Sequence, residues 1–130
     1  MQKPEPERIL VVDDDPDILT IASLALETIG GFEIETCPSG HDALERVGMF
    51  RPDLILLDAM MPGMDGPETF SALNRVMDRQ EIPIVFFTGR TQSEDIAKFK
   101  ALGAVGVVEK PFDPMSLAQT VMEIWQRNSA

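Results

Sequence analysis

The chain has 130 residues, with 22 acidic against 11 basic side chains and a formal net charge of −11. The length suits one compact domain, and the charge repels phosphate backbones, which argues against direct nucleic-acid binding. Apolar blocks such as residues 54–57 and 84–87 are four residues long, whereas a membrane helix needs roughly twenty. The polar, proline-broken amino terminus lacks the apolar stretch of a signal peptide, and the single Cys37 has no partner for an internal disulfide. A cytoplasmic, reducing setting is therefore expected.

Strand-like and helix-like segments alternate five times. Residues 8–12 form an apolar run that stops at Asp13, Asp14 and Asp15. Ile18, Ala22, Ala25 and Ile29 then recur at helical spacing, which predicts one apolar face closed by Gly30 and Gly31. Asp15 is the candidate cap for this helix. Residues 32–37 alternate as a strand, with Phe32, Ile34 and Thr36 on one side. Ser39 is placed to cap a short helix containing Ala43, Leu44 and Val47.

Pro52 introduces residues 54–57, all apolar, as expected of a strand buried on both faces. A loop rich in Pro and Gly follows, and Pro67 fits the first turn of a helix that turns Phe70, Leu73 and Met77 inward. Residues 82–88 read as the fourth strand, 93–102 as a fourth helix stopped by Gly103, and 105–109 as the fifth strand. Pro114 is expected to open a last helix carrying Leu117, Val121 and Ile124. The pattern predicts an α/β domain over residues 8–127, a parallel sheet with helices on both sides, with flexible tails at 1–7 and 128–130.

In such sheets ligands bind at the carboxyl ends of the strands. Strand one ends at Asp13, Asp14 and Asp15, strand three at Asp58, and strand four at Thr88 and Gly89. Lys110 follows strand five. Two carboxylates about 5 Å apart at an effective dielectric of about 20 repel by roughly 3 kcal/mol, and only Lys110 offsets them. A hard divalent cation relieves that repulsion, and all-oxygen ligation favours Mg²⁺, with Mn²⁺ as an alternative. Asp14 and Asp58 can ligate directly and Asp13 through water. A backbone carbonyl in the loop after Asp58, at Met60, can complete the set. A carboxylate beside a cation, a lysine and a hydroxyl is also equipped to attack phosphorus. Cys37, His41 and Trp125 read as packing or surface residues, Asp15 as a solvated acid apart from its capping role, and Asp65 as a solvated acid.

The order and spacing of these motifs carry a resemblance. The segment Ile9-Leu10-Val11-Val12-Asp13-Asp14-Asp15-Pro16 resembles the first-strand signature of response-regulator receiver domains. Residues 56–66, centred on Asp58, resemble the phosphoacceptor segment. Phe87-Thr88-Gly89, Ala101-Leu102-Gly103-Ala104 and Lys110-Pro111-Phe112 are similar to the remaining signatures. The resemblance implies a flavodoxin-like doubly wound sheet of strand order 2-1-3-4-5 with a cis Lys110–Pro111 bond. It implies phosphoryl transfer to Asp58 from a histidine kinase or phosphotransfer protein, with Asp13 and Asp14 as the acidic metal pair. Thr88 would be the switch hydroxyl, Gly89 would leave room for the phosphoryl group and Lys110 would bind it. The output would be docking to a downstream protein by a monomer or weak homodimer, and no separate substrate would be turned over.

Two departures stand out. The family usually carries Tyr or Phe three residues before the lysine, where this chain has Val107, so an aromatic swing there is impossible. Met60 and Arg90 occupy the positions that flank the phosphoryl group and tune its lifetime. Val107 keeps open a receiver-like domain that is never phosphorylated. A haloacid-dehalogenase-like phosphatase would need an acid at Met60 and its acidic metal pair late in the chain. Met1 and the short tails favour a stand-alone receiver over an excised domain.

Overall fold

The computed structural model describes residues 4–77, 82–89 and 92–128. Its elements in chain order are β1 (Arg8–Val12), α1 (Pro16–Thr28), β2 (Glu33–Cys37), α2 (Gly40–Phe50), β3 (Leu54–Asp58), α3 (Gly66–Val76), β4 (Ile84–Thr88), α4 (Ser93–Leu102), β5 (Gly106–Glu109) and α5 (Leu117–Arg127). The strands pair in parallel in the order β2-β1-β3-β4-β5. This is the doubly wound arrangement expected from the sequence. Among the described residues no helix is long and apolar enough to cross a membrane.

Strand alternation divides the interior into two cores. Ile9, Val11, Leu54, Leu56, Val85, Phe87 and Val108 pack against α1 and α5. Leu10, Val12, Ile55, Leu57, Ile84 and Phe86 face α2 and α3, with Phe99 of α4 packed against the same cluster. The central strands are apolar at successive positions because helices cover both faces.

Local chemistry sets the helix starts. The Asp15 side chain accepts a hydrogen bond from the Asp17 amide at the start of α1, and Ser39 accepts from the Asp42 amide at α2. Asp65 and Glu68 form a reciprocal capping box at α3, satisfying amides that the helix itself cannot. Gly103 ends α4 with φ +117°, a conformation glycine adopts without strain, and a Cβ there would lie 3.2 Å from the Phe70 ring.

The structure corrects several expectations. The buried face of α1 consists of Leu19, Ala22, Ala25 and Leu26, while Ile29 is 48% exposed. The spacing of Ile18, Ala22, Ala25 and Ile29 is helical, but Leu19 and Leu26 fit the same period and lie nearer the centre of contact with the sheet. Pro114 sits in a turn, and α5 begins at Leu117, because the Asp113 carboxylate and carbonyl bind the amides of Met115 and Ser116 first. β4 starts at Ile84 and β5 at Gly106, each later than the apolar run. At the opposite edge of the sheet, the buried Asp53 accepts from the amides of Glu7 and Arg8, tying the entry of β1 to that of β3.

Candidate functional site

Register alone assembles the site. Val12 pairs with Leu57, and Asp58 with Phe87, so Asp13, Asp58 and Phe87 stand in one row across the carboxyl ends of β1, β3 and β4. Each lies two residues beyond an inward residue of the α1–α5 core (Val11, Leu56 and Val85), so all three side chains emerge on that face. Lys110 lies two residues beyond Val108, one pleat further out.

Backbone contacts hold these ends in place. The Asp13 amide donates to the Cys37 carbonyl at 3.1 Å, the Ala59 amide to the Phe87 carbonyl at 2.9 Å, and the Lys110 amide to the Thr88 carbonyl at 2.8 Å. The Lys110–Pro111 bond is cis. The loop after Asp58 folds back tightly, since a Cβ on Gly66 would lie 2.6 Å from both the Asp58 carbonyl oxygen and the Ala59 Cα.

Asp13 is wholly buried and Asp58 nearly so. Lys110 Nζ bridges them, 2.7 Å from Asp13 Oδ2 and 3.1 Å from Asp58 Oδ1. The remaining Asp13 oxygen accepts from the Asp15 amide at 2.9 Å, and Asp58 Oδ1 accepts from the Met60 amide at 3.2 Å. The ammonium also lies 5.4 Å from the centroid of the Phe87 ring.

Burial pushes the Asp58 carboxyl up to about 6, and the neighbouring Asp13 charge pushes the same way, against hydrogen bonds from Met60 and Lys110. Burial alone would lower the Lys110 pKa, but hydrogen bonding and attraction from Asp13, then Asp58, hold it above the ordinary lysine value. Burial also pushes the Cys37 thiol up to about 11, leaving a protonated core cysteine rather than a nucleophile.

A cation fits this arrangement. One carboxylate oxygen each from Asp13, Asp14 and Asp58 lies within 4.8 Å of the others, and Asp14 is open to solvent. Among the described residues, the buried Asp13 Oδ2 is answered by the Lys110 ammonium alone. At such a separation each pair of carboxylates repels by roughly 3 kcal/mol at an effective dielectric of about 20, and the two bridges of Lys110 reach Asp13 and Asp58 but not Asp14. Three oxygen donors with one solvent-facing side suit a hard divalent ion that keeps part of its water shell.

The other expected residues surround this cluster. Thr88 is buried at the end of β4, with Gly89 exposed beside it. Met60, whose amide donates to Asp58 Oδ1, is 57% exposed. Val107 is half-buried and in register with Phe86. Arg90 lies outside the described residues. Asp15 and Asp65 serve as helix caps. The sequence reading missed Phe87 beneath Lys110, and the signal for it was the register row it shares with Asp58. It also missed Asp53, an acid directly ahead of an all-apolar strand.

The model for the response regulator receiver domain family matches residues 9–122. The DNA-binding response regulator MtrA of Mycolicibacterium smegmatis is 38% identical over 122 residues, 94% of this chain and 52% of that protein. The transcriptional regulatory protein CseB of Streptomyces coelicolor is 35% identical over 119 residues, 92% of this chain and 49% of that protein. The chain thus spans about half the length of these curated relatives. Among solved structures, the chemotaxis response regulator CheY4 of Vibrio cholerae superposes with a TM-score of 0.82 at 35% identity, covering 91% of this chain and 98% of that one.

Proposed function

The chain belongs to the response regulator receiver domain family, a signalling module of two-component phosphorelays, and on that premise we propose that Asp58 is its phosphoacceptor. The donor is the phosphohistidine of a histidine kinase or phosphotransfer protein. The observation that carries this reading is the Lys110 ammonium bridging the buried carboxylates of Asp13 and Asp58, beside the solvent-facing Asp14.

With its carboxyl held near 6, Asp58 is largely ionised at neutral pH and available as the nucleophile. One of its oxygens bonds to phosphorus as the bond from phosphorus to the donor imidazole nitrogen breaks. Lys110 is close enough to follow the charge from the Asp58 carboxylate onto the phosphoryl oxygens. Thr88, at the end of the neighbouring strand, supplies a hydroxyl, and Gly89 leaves the space beside it free of a side chain. Asp13, Asp14, Asp58 and the Met60 backbone carbonyl are the residues that would hold Mg²⁺, or Mn²⁺ in its place. When bound, the ion supplies positive charge against the phosphoryl oxygens. Met60, together with Arg90, tunes the lifetime of the acyl phosphate.

The domain catalyses its own phosphorylation and slow dephosphorylation, and its output is a phosphorylation-dependent contact with a downstream protein. Val107 cannot provide an aromatic swing, so the signal leaves the site through other groups. The test is incubation with Mg²⁺ and a small acyl phosphate. The wild type gains an acid-labile, hydroxylamine-sensitive phosphate and Asp58→Asn does not. Equal labelling of the two proteins, or none of the wild type, contradicts the assignment.

A further inference from the structure

Lys110 leaves the end of β5 yet binds carboxylates on β3 and β1. With neighbouring strands roughly 4.8 Å apart, its side chain must cross the end of β4 to reach them. The β4 residue in that path is Phe87, in register with Asp58 and fully buried. Its ring lies 5.4 Å from the ammonium, inside the range in which a cation is drawn to an aromatic face. Phe112, two residues after Lys110, packs on Phe87 with ring centroids 5.1 Å apart and planes tilted by 34°. The chain that carries the lysine therefore also braces the ring beneath it.

We propose that Phe87 is a positioning residue for Lys110, holding the ammonium over β4 while its carboxylate partners change. The proposal rests on Asp58 as phosphoacceptor. Both ionic partners of Lys110 are reassigned in that reaction: Asp58 passes its charge to the phosphoryl group, and Asp13 is shared with the bound cation. The ring has neither a proton to lose nor a lone pair for a metal to take, so its attraction persists through each state. An aliphatic residue would fill much of the same volume without providing that attraction.

Two measurements test this. In the unphosphorylated protein the Lys110 ε-methylene protons are shifted upfield by the ring, and in Phe87→Leu they return to the ordinary lysine position. With phosphoramidate as donor and saturating Mg²⁺, Phe87→Leu is phosphorylated about three- to tenfold more slowly. Its half-saturating Mg²⁺ concentration stays within about twofold of wild type on the same reasoning. Replacing Phe87 by fluorinated phenylalanines, which keep the shape and weaken the ring face, lowers the rate in graded steps and covers the case in which the leucine variant folds poorly. In a Lys110→Met background, Phe87→Leu costs nothing further. An unshifted methylene in wild type, an unchanged rate in both the leucine and fluorinated variants, or an equal loss without the lysine overturns the proposal. A wild type that takes no phosphate at all contradicts the Asp58 assignment instead, and the methylene shift still decides the role of the ring.

Discussion

Lys110 Nζ stands 2.7 Å from Asp13 Oδ2, and the carboxylate it meets has no solvent exposure. The lysine is therefore a structural counter-ion in the metal-free protein as well as a candidate phosphate ligand. Removing it leaves two buried acids facing each other. Lys110→Met is expected to lose about 1–3 kcal/mol of unfolding free energy at pH 7 in chelator, less than for a fully buried pair because the lysine is partly solvated. Added Mg²⁺ should restore more stability to this variant than it adds to wild type. Urea denaturation with and without the ion measures both effects.

The raised pKa of Asp58 makes a second prediction with a defined sign. An acid whose folded pKa, about 6, exceeds its unfolded value of 3.8 holds its proton more tightly in the folded state. The stability it contributes is fully present below about pH 4 and is lost as pH rises through about 6. Asp58→Asn removes this loss. In chelator the variant should match wild type near pH 4 and exceed it by roughly 1–3 kcal/mol at pH 7. An Asn variant less stable than wild type at pH 7 would show that Lys110 more than compensates the acid.

Asp65 contributes to stability rather than chemistry. Its side chain accepts from the Glu68 amide at 2.9 Å, while Glu68 accepts from the Asp65 amide at 3.1 Å. Asp65→Ala should cost about 1–2 kcal/mol and leave phosphate labelling of Asp58 intact. Thermal melts and the labelling assay together distinguish this from a role as a metal ligand.

Helix α4 is held differently from the other helices. None of its residues is fully buried, and Phe99 ties it to the sheet, its ring centroid 4.7 Å from that of Phe86. Phe86 in turn pairs in register with Val107, the position without the family's aromatic. Phe99→Ala should therefore speed amide hydrogen exchange in residues 93–102 by about tenfold or more, as expected for a segment with few buried contacts, with β4 little changed. Uniform acceleration across the domain would mean that the ring supports the core as a whole.

The sequence made the sheet legible because short apolar blocks ending in acids, a threonine or a lysine have few other structural uses. The cluster of Asp13, Asp14, Asp58 and Lys110 followed from those strand ends. The phase of α1 did not, because Ile18, Leu19, Leu26 and Ile29 all satisfy helical spacing and only packing against β1 and β2 selects among them. The start of α5 was misplaced because the turn chemistry of Asp113 overrides the preference of Pro114 for a first helical turn. The capping box is present in the spacing of Asp65 and Glu68, but an acid in a Pro- and Gly-rich loop is equally consistent with plain solvation. Phe87 was invisible as anything but core until register placed it between Lys110 and the carboxylates it reaches.

Whether Asp58 carries the phosphoryl group is decided by locating the modified residue. Borohydride reduction of the phosphorylated protein converts an aspartyl phosphate to homoserine, which peptide mass spectrometry assigns to one position. Homoserine is expected at position 58, and only when Mg²⁺ and donor are both supplied. Homoserine at position 13 or 14, or phosphate retained on His41 with position 58 unchanged, would contradict the assignment.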